Sequence, residues 1–290
     1  MYTIITDSCA DLNKELAAGY EKLHILPLTY TIGGESKPDP MGDEAVTHAF
    51  YERLRAGENC TTSQIAPGTF YEAYKPFAQA GEPILCLHFS SALSGTYASA
   101  VVARDMLLEE YPGAVIEVID TLCASAGQGL LVYDALQNRA AGMAVGDNAK
   151  WIREHLQSYA HWFTVDDLHF LKRGGRCSPS AAFFGSMLSI KPVLHVSSEG
   201  KLIARSKVRG RHQALRALVS QFTALEASPD QTVFISHGDC LADAEFVRDE
   251  LVARCGCDPE RIVLSMIGPV IGSHSGPGTV ALFFRGRDRG

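Results

Sequence analysis

The run Leu87-His88-Phe89-Ser90-Ser91-Ala92-Leu93-Ser94-Gly95-Thr96-Tyr97 sets an apolar, strand-like stretch against a hydroxyl-rich turn, with a long helical pattern starting immediately after it. Side-chain hydroxyls and the free amides of a helix N-terminus can converge on one anionic group. Neither a basic side chain nor a set of metal ligands is supplied locally. Such a turn suits a carboxylate better than a polyphosphate.

Three further polar stretches are candidate site elements: Asp7-Ser8 after the first strand, Thr61-Thr62-Ser63-Gln64 ahead of a helix that Pro67 opens, and the glycine-rich stretch from Ile267 to Thr279 between two late strands. Ser, Thr and Asp before helices ordinarily serve as caps worth about 1 kcal/mol each. Three hydroxyl turns plus His274 among glycines 272, 276 and 278 exceed what capping requires. Glycine lets backbone approach a ligand, and imidazole can donate to a carboxylate at neutral pH. The stretch from Thr164 to Arg176 adds a carboxylate pair, Asp166 and Asp167, and a basic Lys172-Arg173-Gly174-Gly175-Arg176 loop. Alone it reads as an exposed, ion-paired loop, yet planar guanidinium groups between glycines can also grip an oxyanion.

Other chemistries lack their motifs. The chain has no Gly-x-x-x-x-Gly-Lys phosphate loop, no Gly-x-Gly-x-x-Gly, no Gly-x-Ser-x-Gly nucleophile elbow and no His-Glu-x-x-His. A serine hydrolase using Ser91 or Ser94 with His237 or His274 and Asp120 or Asp239 is the enzymatic alternative, with the residue types present and the elbow missing. No metal site or cofactor is expected. The eight cysteines show no zinc or redox spacing and read as reduced thiols.

The elements that must hold these residues follow from periodicity. Tyr2 to Thr6 and Leu23 to Ile32 read as strands, with a helix between them capped by Asp11 and a turn at Gly33-Gly34. Helices are predicted over Asp43 to Ala56, Pro67 to Ala80, Thr96 to Glu110, Ala124 to Ala141 and Asp147 to Tyr159, with strands over Ile84 to His88 and Val115 to Asp120. This alternation implies a parallel, Rossmann-like sheet whose ligands sit beyond the strands' carboxyl ends. From Trp162 the pattern changes. Trp162 to Val165 is strand-like, Pro179 opens a short helix, and Ser197-Ser198-Glu199-Gly200 is a hairpin between Val193 to Val196 and Leu202 to Val208. Helices at Arg211 to Leu225 and Ala242 to Ala253 alternate with strands at Thr232 to Ile235, Ile262 to Met266 and Val280 to Phe284. The fold class is α/β with two domains: residues 1–155 around the parallel sheet, and 156–290 around a mixed sheet.

The formal charge of −7 and the lack of a Lys/Arg block argue against nucleic acid as a partner. No signal-like start or spanning-length apolar run is present, so a cytoplasmic protein without stable membrane insertion is expected.

Taken together, Thr62-Ser63-Gln64, Ser90 to Tyr97, Leu171 to Arg176, Ile190-Lys191-Pro192-Val193-Leu194, Gly200-Lys201 and Gly272 to Thr279 resemble the ordered signature of DegV-family fatty-acid-binding proteins over nearly the whole chain. The resemblance implies two α/β domains with a long-chain fatty acid between them. It also implies a non-enzymatic role as the acyl-binding subunit of a bacterial fatty acid kinase, whose separate ATP-binding subunit phosphorylates the bound carboxylate. By motif, Thr62 and Ser94 would hold the carboxylate, Ser63, Gly95 and Thr96 would complete the turn, and His274 would bond the head group. Arg173 or Arg176 would serve phosphotransfer or kinase docking, and Phe183, Phe184, Met187, Leu188, Ile190 and Ile271 would line the tail pocket. A lipid-sensing regulator without phosphotransfer is the other binding role. The family often reads Thr-Ser-Gln-Pro-Ser where this chain has Ile65 and Ala66 after Gln64. Burying roughly 15 methylenes gains on the order of 12 kcal/mol before ordering and desolvation costs. Donors at the carboxylate then prevent an unpaired buried ion from cancelling part of that gain.

Overall fold

The computed structural model describes residues 1–176 and 190–290. The expected helix from Pro179 and the tail-pocket candidates Phe183, Phe184, Met187 and Leu188 lie outside the described residues.

In chain order the first half contains strands β1 (Thr3–Asp7), β2 (Leu23–Leu26), β3 (Thr29–Ile32), β4 (Glu35–Pro38), β5 (Cys60–Ser63), β6 (Ile84–His88) and β7 (Ile116–Asp120), with helices α1 (Lys14–Ala18), α2 (Glu44–Arg55), α3 (Pro67–Ala80), α4 (Thr96–Glu110), α5 (Ala126–Ala140) and α6 (Val145–His155). The second half contains β8 (Tyr159–Thr164), α7 (His169–Arg173), β9 (Ile190–Val196), β10 (Leu202–Arg209), α8 (Arg211–Ala224), β11 (Val233–His237), α9 (Leu241–Cys255), β12 (Ile262–Met266), α10 (Pro269–Ser275) and β13 (Val280–Arg285).

β2, β1, β6 and β7 form a four-stranded parallel sheet in that order. Every residue of β1 and β6 is buried, as continuous apolar runs require when helices cover both faces. α3 and α4 pack on one face through Phe70, Tyr74, Ala100 and Leu107. α5 and α6 pack on the other through Leu130, Leu131, Ala149 and Ile152. The second half builds a six-stranded mixed sheet, β10-β9-β8-β13-β11-β12, in which β11 and β12 are parallel and the remaining pairs antiparallel. α8 and α9 cover its outer face through Leu218, Phe222, Val247 and Leu251. Its inner face contributes Phe163, Leu194, Phe234, Ala281 and Phe283 to the same core as α5, so α5 is sandwiched between the two sheets. Among the described residues the sheet ends at β10, where Arg205 is the extra residue of a bulge between Ala204 and Ser206 and, with Lys207 and Arg209, is exposed.

Five local expectations are corrected. Asp11 does not cap a helix: it is buried in a left-handed conformation, and Asn13 caps α1 by accepting from Leu16 N at 2.8 Å. The predicted strand Leu23 to Ile32 breaks at Pro27-Leu28, because Pro27 cannot donate to a ladder. β2 stays in the parallel sheet, while β3 joins β4 and β5 in a separate three-stranded antiparallel sheet. The Thr61 to Gln64 stretch is thereby mostly strand β5, to which its β-branched threonines are suited. The Ile267 to Thr279 stretch is not a loop throughout, since Pro269 opens α10, proline being pre-shaped for a helix's first position. The helix predicted over Asp147 to Tyr159 instead starts at Val145 and ends at His155, and Tyr159 starts β8. Among the described residues, no helix is long and apolar enough to cross a membrane.

Candidate lipid-binding site

Pairing of Thr62 with Tyr30 across β5 and β3 fixes the Thr62 side chain beside the last turn of α10. There Thr62 Oγ1 and His274 Nε2 share a hydrogen bond of 2.8 Å. Gly174, just past α7, lies against the other side of the ring: a Cβ at Gly174 would stand 2.1 Å from His274 Nδ1, so only glycine permits this approach. Burial, with the charges of Arg176 and Arg173, lowers the His274 pKa to about 4, and the imidazole is neutral at pH 7.

The turn between β6 and α4 forms the facing wall. Ser90 Oγ donates to Gly200 O at 3.0 Å and ties the turn to the β9–β10 hairpin. Ser94 Oγ accepts from Thr96 N at 3.3 Å and shares a 2.9 Å bond with Thr96 Oγ1. Gln64 lies over Gly95, where a Cβ would meet Gln64 Oε1 at 2.0 Å, and its Nε2 donates to Ser99 Oγ at 3.0 Å. The two hydroxyl stretches therefore touch.

A cavity of about 210 Å³ opens between them and the inner face of the six-stranded sheet. Of the residues singled out from sequence, Thr62, Ser63, Ser94, Gly95, Arg176, Ile271 and His274 line it. Thr96 is fully buried and reaches the cavity only through Ser94. Ile190 is half-buried at the start of β9 and is not among the lining residues. The two arginines differ. Arg176 lines the cavity, with Nε donating to Leu93 O at 3.2 Å and Nη1 to Gly174 O. Arg173 points outward, donating to Asn59 Oδ1 at 2.6 Å with its guanidinium 5.1 Å from the centre of the Phe170 ring.

Among the wall residues that sequence reasoning missed are Ser125 at the start of α5, His161 and Phe163 on β8, and Ala281 and Phe283 on β13. The only signal for the four strand residues was alternation, which marks an inward face without saying whether that face meets side chains or a hollow.

Buried carboxylates brace the site from below. Asp7 Oδ2 accepts from His88 Nδ1 and Phe89 N, both at 3.0 Å, and its Oδ1 from Cys9 N at 3.1 Å and Gln128 Nε2 at 3.3 Å. His88 Nε2 is 2.6 Å from Tyr74 Oη. Asp11 accepts from Ser125 Oγ at 2.6 Å and from Gly268 N at 2.8 Å, and Asp39 accepts from Val270 N at 3.3 Å, so both hold the entry to the helix that carries His274.

Burial raises the Asp39 pKa to about 6. Its folded state keeps a proton that the unfolded chain has released, so this contribution to stability is lost as pH rises from about 4 to about 6. The lowered pKa of His274 acts oppositely, removing stability as pH falls from about 6.5 to about 4. Asp39→Asn should therefore steepen the fall in melting temperature on acidification, and His274→Gln should flatten it. Melting curves from pH 4 to 7 read both slopes, and unchanged slopes would remove these assignments.

The hydrolase constellation is not assembled. Among the described residues neither Ser91 nor Ser94 is bonded to a histidine; Asp120 accepts from Ser91 N and Leu122 N, and Asp239 pairs with His48 and Arg55. His48, Glu52 and Asp239 bring ligand atoms within 4.8 Å of one another on the surface, but Arg55 bonds both carboxylates and already supplies the positive charge.

Residues 1–287 match the model of an uncharacterised protein family, DegV. A DegV domain-containing protein of Clostridium perfringens is 42% identical over 98% of this chain and 97% of its own length. A fatty-acid-binding DegV family protein from Thermus thermophilus superposes with a TM-score of 0.87 at 30% identity, covering 98% of this chain and 99% of that one. A DegV lipid-binding protein from Thermotoga maritima gives 0.85 at 29% identity, with both chains covered completely.

Proposed function

Because this chain belongs to the DegV family, we propose that it binds one long-chain fatty acid, with the carboxylate at Thr62, Ser94 and His274, and presents that carboxylate to a separate kinase. One observation carries the reading: a hydroxyl on β5, another in the turn after β6 and a neutral imidazole line a cavity whose other walls include Leu28, Phe89, Phe163, Val270 and Phe283. Apolar walls favour an alkyl chain, and the polar groups supply the donors its carboxylate needs. The fatty-acid-binding Thermus thermophilus relative supports the same ligand class.

Hydroxyls and an imidazole hold a carboxylate without enclosing it, leaving one oxygen able to attack the γ-phosphorus of ATP bound by the partner. The new P–O bond gives an acyl phosphate, and ADP leaves. Arg176, at the cavity, steadies the negative head group, whereas Arg173, outside it, faces the incoming kinase.

Delipidated protein titrated with saturated and monounsaturated fatty acids, followed by native mass spectrometry, should give a one-to-one complex; absence of any complex would overturn the binding reading. In the same assay Arg176→Ala should weaken binding about tenfold, the loss of one charge-assisted contact. Arg173→Ala should change binding less than twofold and lower acyl-phosphate formation at least tenfold. Equal loss of binding and transfer would place Arg173 at the head group instead. A loaded protein refused by acyl-phosphate-forming kinases would leave lipid sensing as its role.

A further inference from the structure

The floor of the cavity is a piece of the β8–β13 ladder, in which Ala281 pairs with Phe163 and Phe283 with His161. Thr279, Ala281 and Phe283 line the cavity with Phe163 and His161, whereas Trp162 and Leu282 between them face the outer core. Thr279 follows His274 by five residues and so marks the head-group end. At ~3.3 Å per residue, Phe283 lies about 13 Å further along the floor.

At that level four lining side chains stand in one row across four strands. Phe283 pairs with His161, and Leu202 pairs with Val196. The β8–β9 register, Trp162 with His195 and Phe163 with Leu194, carried one step further sets His161 opposite Val196. The rings of His161 and Phe283 meet edge to face, 5.2 Å between centres at 84°. His161 Nδ1 donates to Tyr159 O at 2.9 Å, which fixes the ring, and Gly127 of α5 backs both side chains. A Cβ at Gly127 would stand 2.2 Å from His161 Nε2 and 2.6 Å from Phe283 Cδ1. Burial lowers the His161 pKa to about 3, so the row carries no charge at pH 7. Beyond it, Tyr159 and Arg285 form the next pair on the same face and are closed by Asp134, which accepts from Tyr159 Oη at 2.6 Å and Arg285 Nη1 at 3.1 Å. Neither lines the cavity.

We propose that the row Phe283, His161, Val196 and Leu202 is the stop that limits the length of acyl chain this protein accepts, a proposal that rests on the fatty-acid reading above. The small Ala281 keeps the floor open ahead of the stop, and the bulky pair behind it ends the slot. Each methylene that finds room is worth about fourfold in affinity, and two about fifteenfold.

Competition among straight-chain saturated fatty acids of increasing length tests this on delipidated protein. Phe283→Ala and His161→Ala should each move the preferred length up by about two carbons and raise the relative affinity for that longer acid about fifteenfold. His161→Leu, which refills the space, should restore the original preference. Ala281→Val, ahead of the stop, should move the preference to shorter chains. Unchanged length preference in folded Phe283→Ala and Ala281→Val proteins would overturn the stop. If Phe283→Ala unfolds, Ala281→Val decides alone: a shorter optimum supports the stop and an unchanged one overturns it. Failure of the unmutated protein to bind any fatty acid would remove the underlying reading instead.

Discussion

Replacing Thr62 and Ser94 together with alanine is expected to lower fatty-acid affinity by at least a hundredfold while leaving the melting temperature nearly unchanged. A hydrogen bond to a charged group is worth about 1.5–3 kcal/mol, so losing two removes about 3–6 kcal/mol of binding. Stability should hold because both residues are only half-buried, and their partners are one another's neighbours at the site: His274 for Thr62, and Thr96 for Ser94. Thr62→Ser and Ser94→Thr keep the hydroxyls and should retain most of the affinity. Titration calorimetry against one long-chain acid measures the effect. A double variant that binds as tightly as the parent would mean that the carboxylate sits elsewhere.

Asp7→Ala is expected to produce the largest loss of stability, about 3–5 kcal/mol in urea unfolding, because several buried donors each lose their acceptor at about 1–3 kcal/mol apiece. Four donors meet on this one carboxylate, and alanine would strand all of them in a fully buried setting: the amides of Cys9 and Phe89, the Gln128 side chain and the His88 ring. Asp7→Asn keeps an acceptor and should fall between. Phe89 opens the turn that leads to Ser94, so the alanine variant should also lose fatty acid at denaturant concentrations where the parent retains it. A melting curve indistinguishable from the parent's would show that Asp7 is dispensable to the fold.

Legibility followed the kind of signal each segment carries. Pro67–Ala80, Ile84–His88 and Thr96–Glu110 were readable to the residue, since proline, glycine or a hydroxyl turn marks an end and the pattern between has one period. β4 and β5 were not, because a four-residue strand in a small side sheet differs little from a polar loop until its partners are known. His274 stood out among glycines, but Pro269–Ser275 hid as a helix because Gly272 and two serines weaken its pattern. The hydroxyls at 62 and 94 were visible as residue types, whereas their meeting depends on pairing of β5 with β3 and on Gln64 packing over Gly95. Asp11 misled for a physical reason: aspartate before a helix ordinarily caps it, and here it serves Ser125 and Gly268 from far along the chain.

The cationic border of the six-stranded sheet bears on how copies of this protein tolerate crowding. A strand with unsatisfied amides and carbonyls along one side is a template for any other extended chain, including the same strand of a neighbour. Arg205, Lys207 and Arg209 would confront their own counterparts in such a meeting, and the kink between Ala204 and Ser206 spoils a straight fit. Mutual repulsion and poor register together disfavour pairing of this edge with its own copy, and so guard against fibrillar stacking.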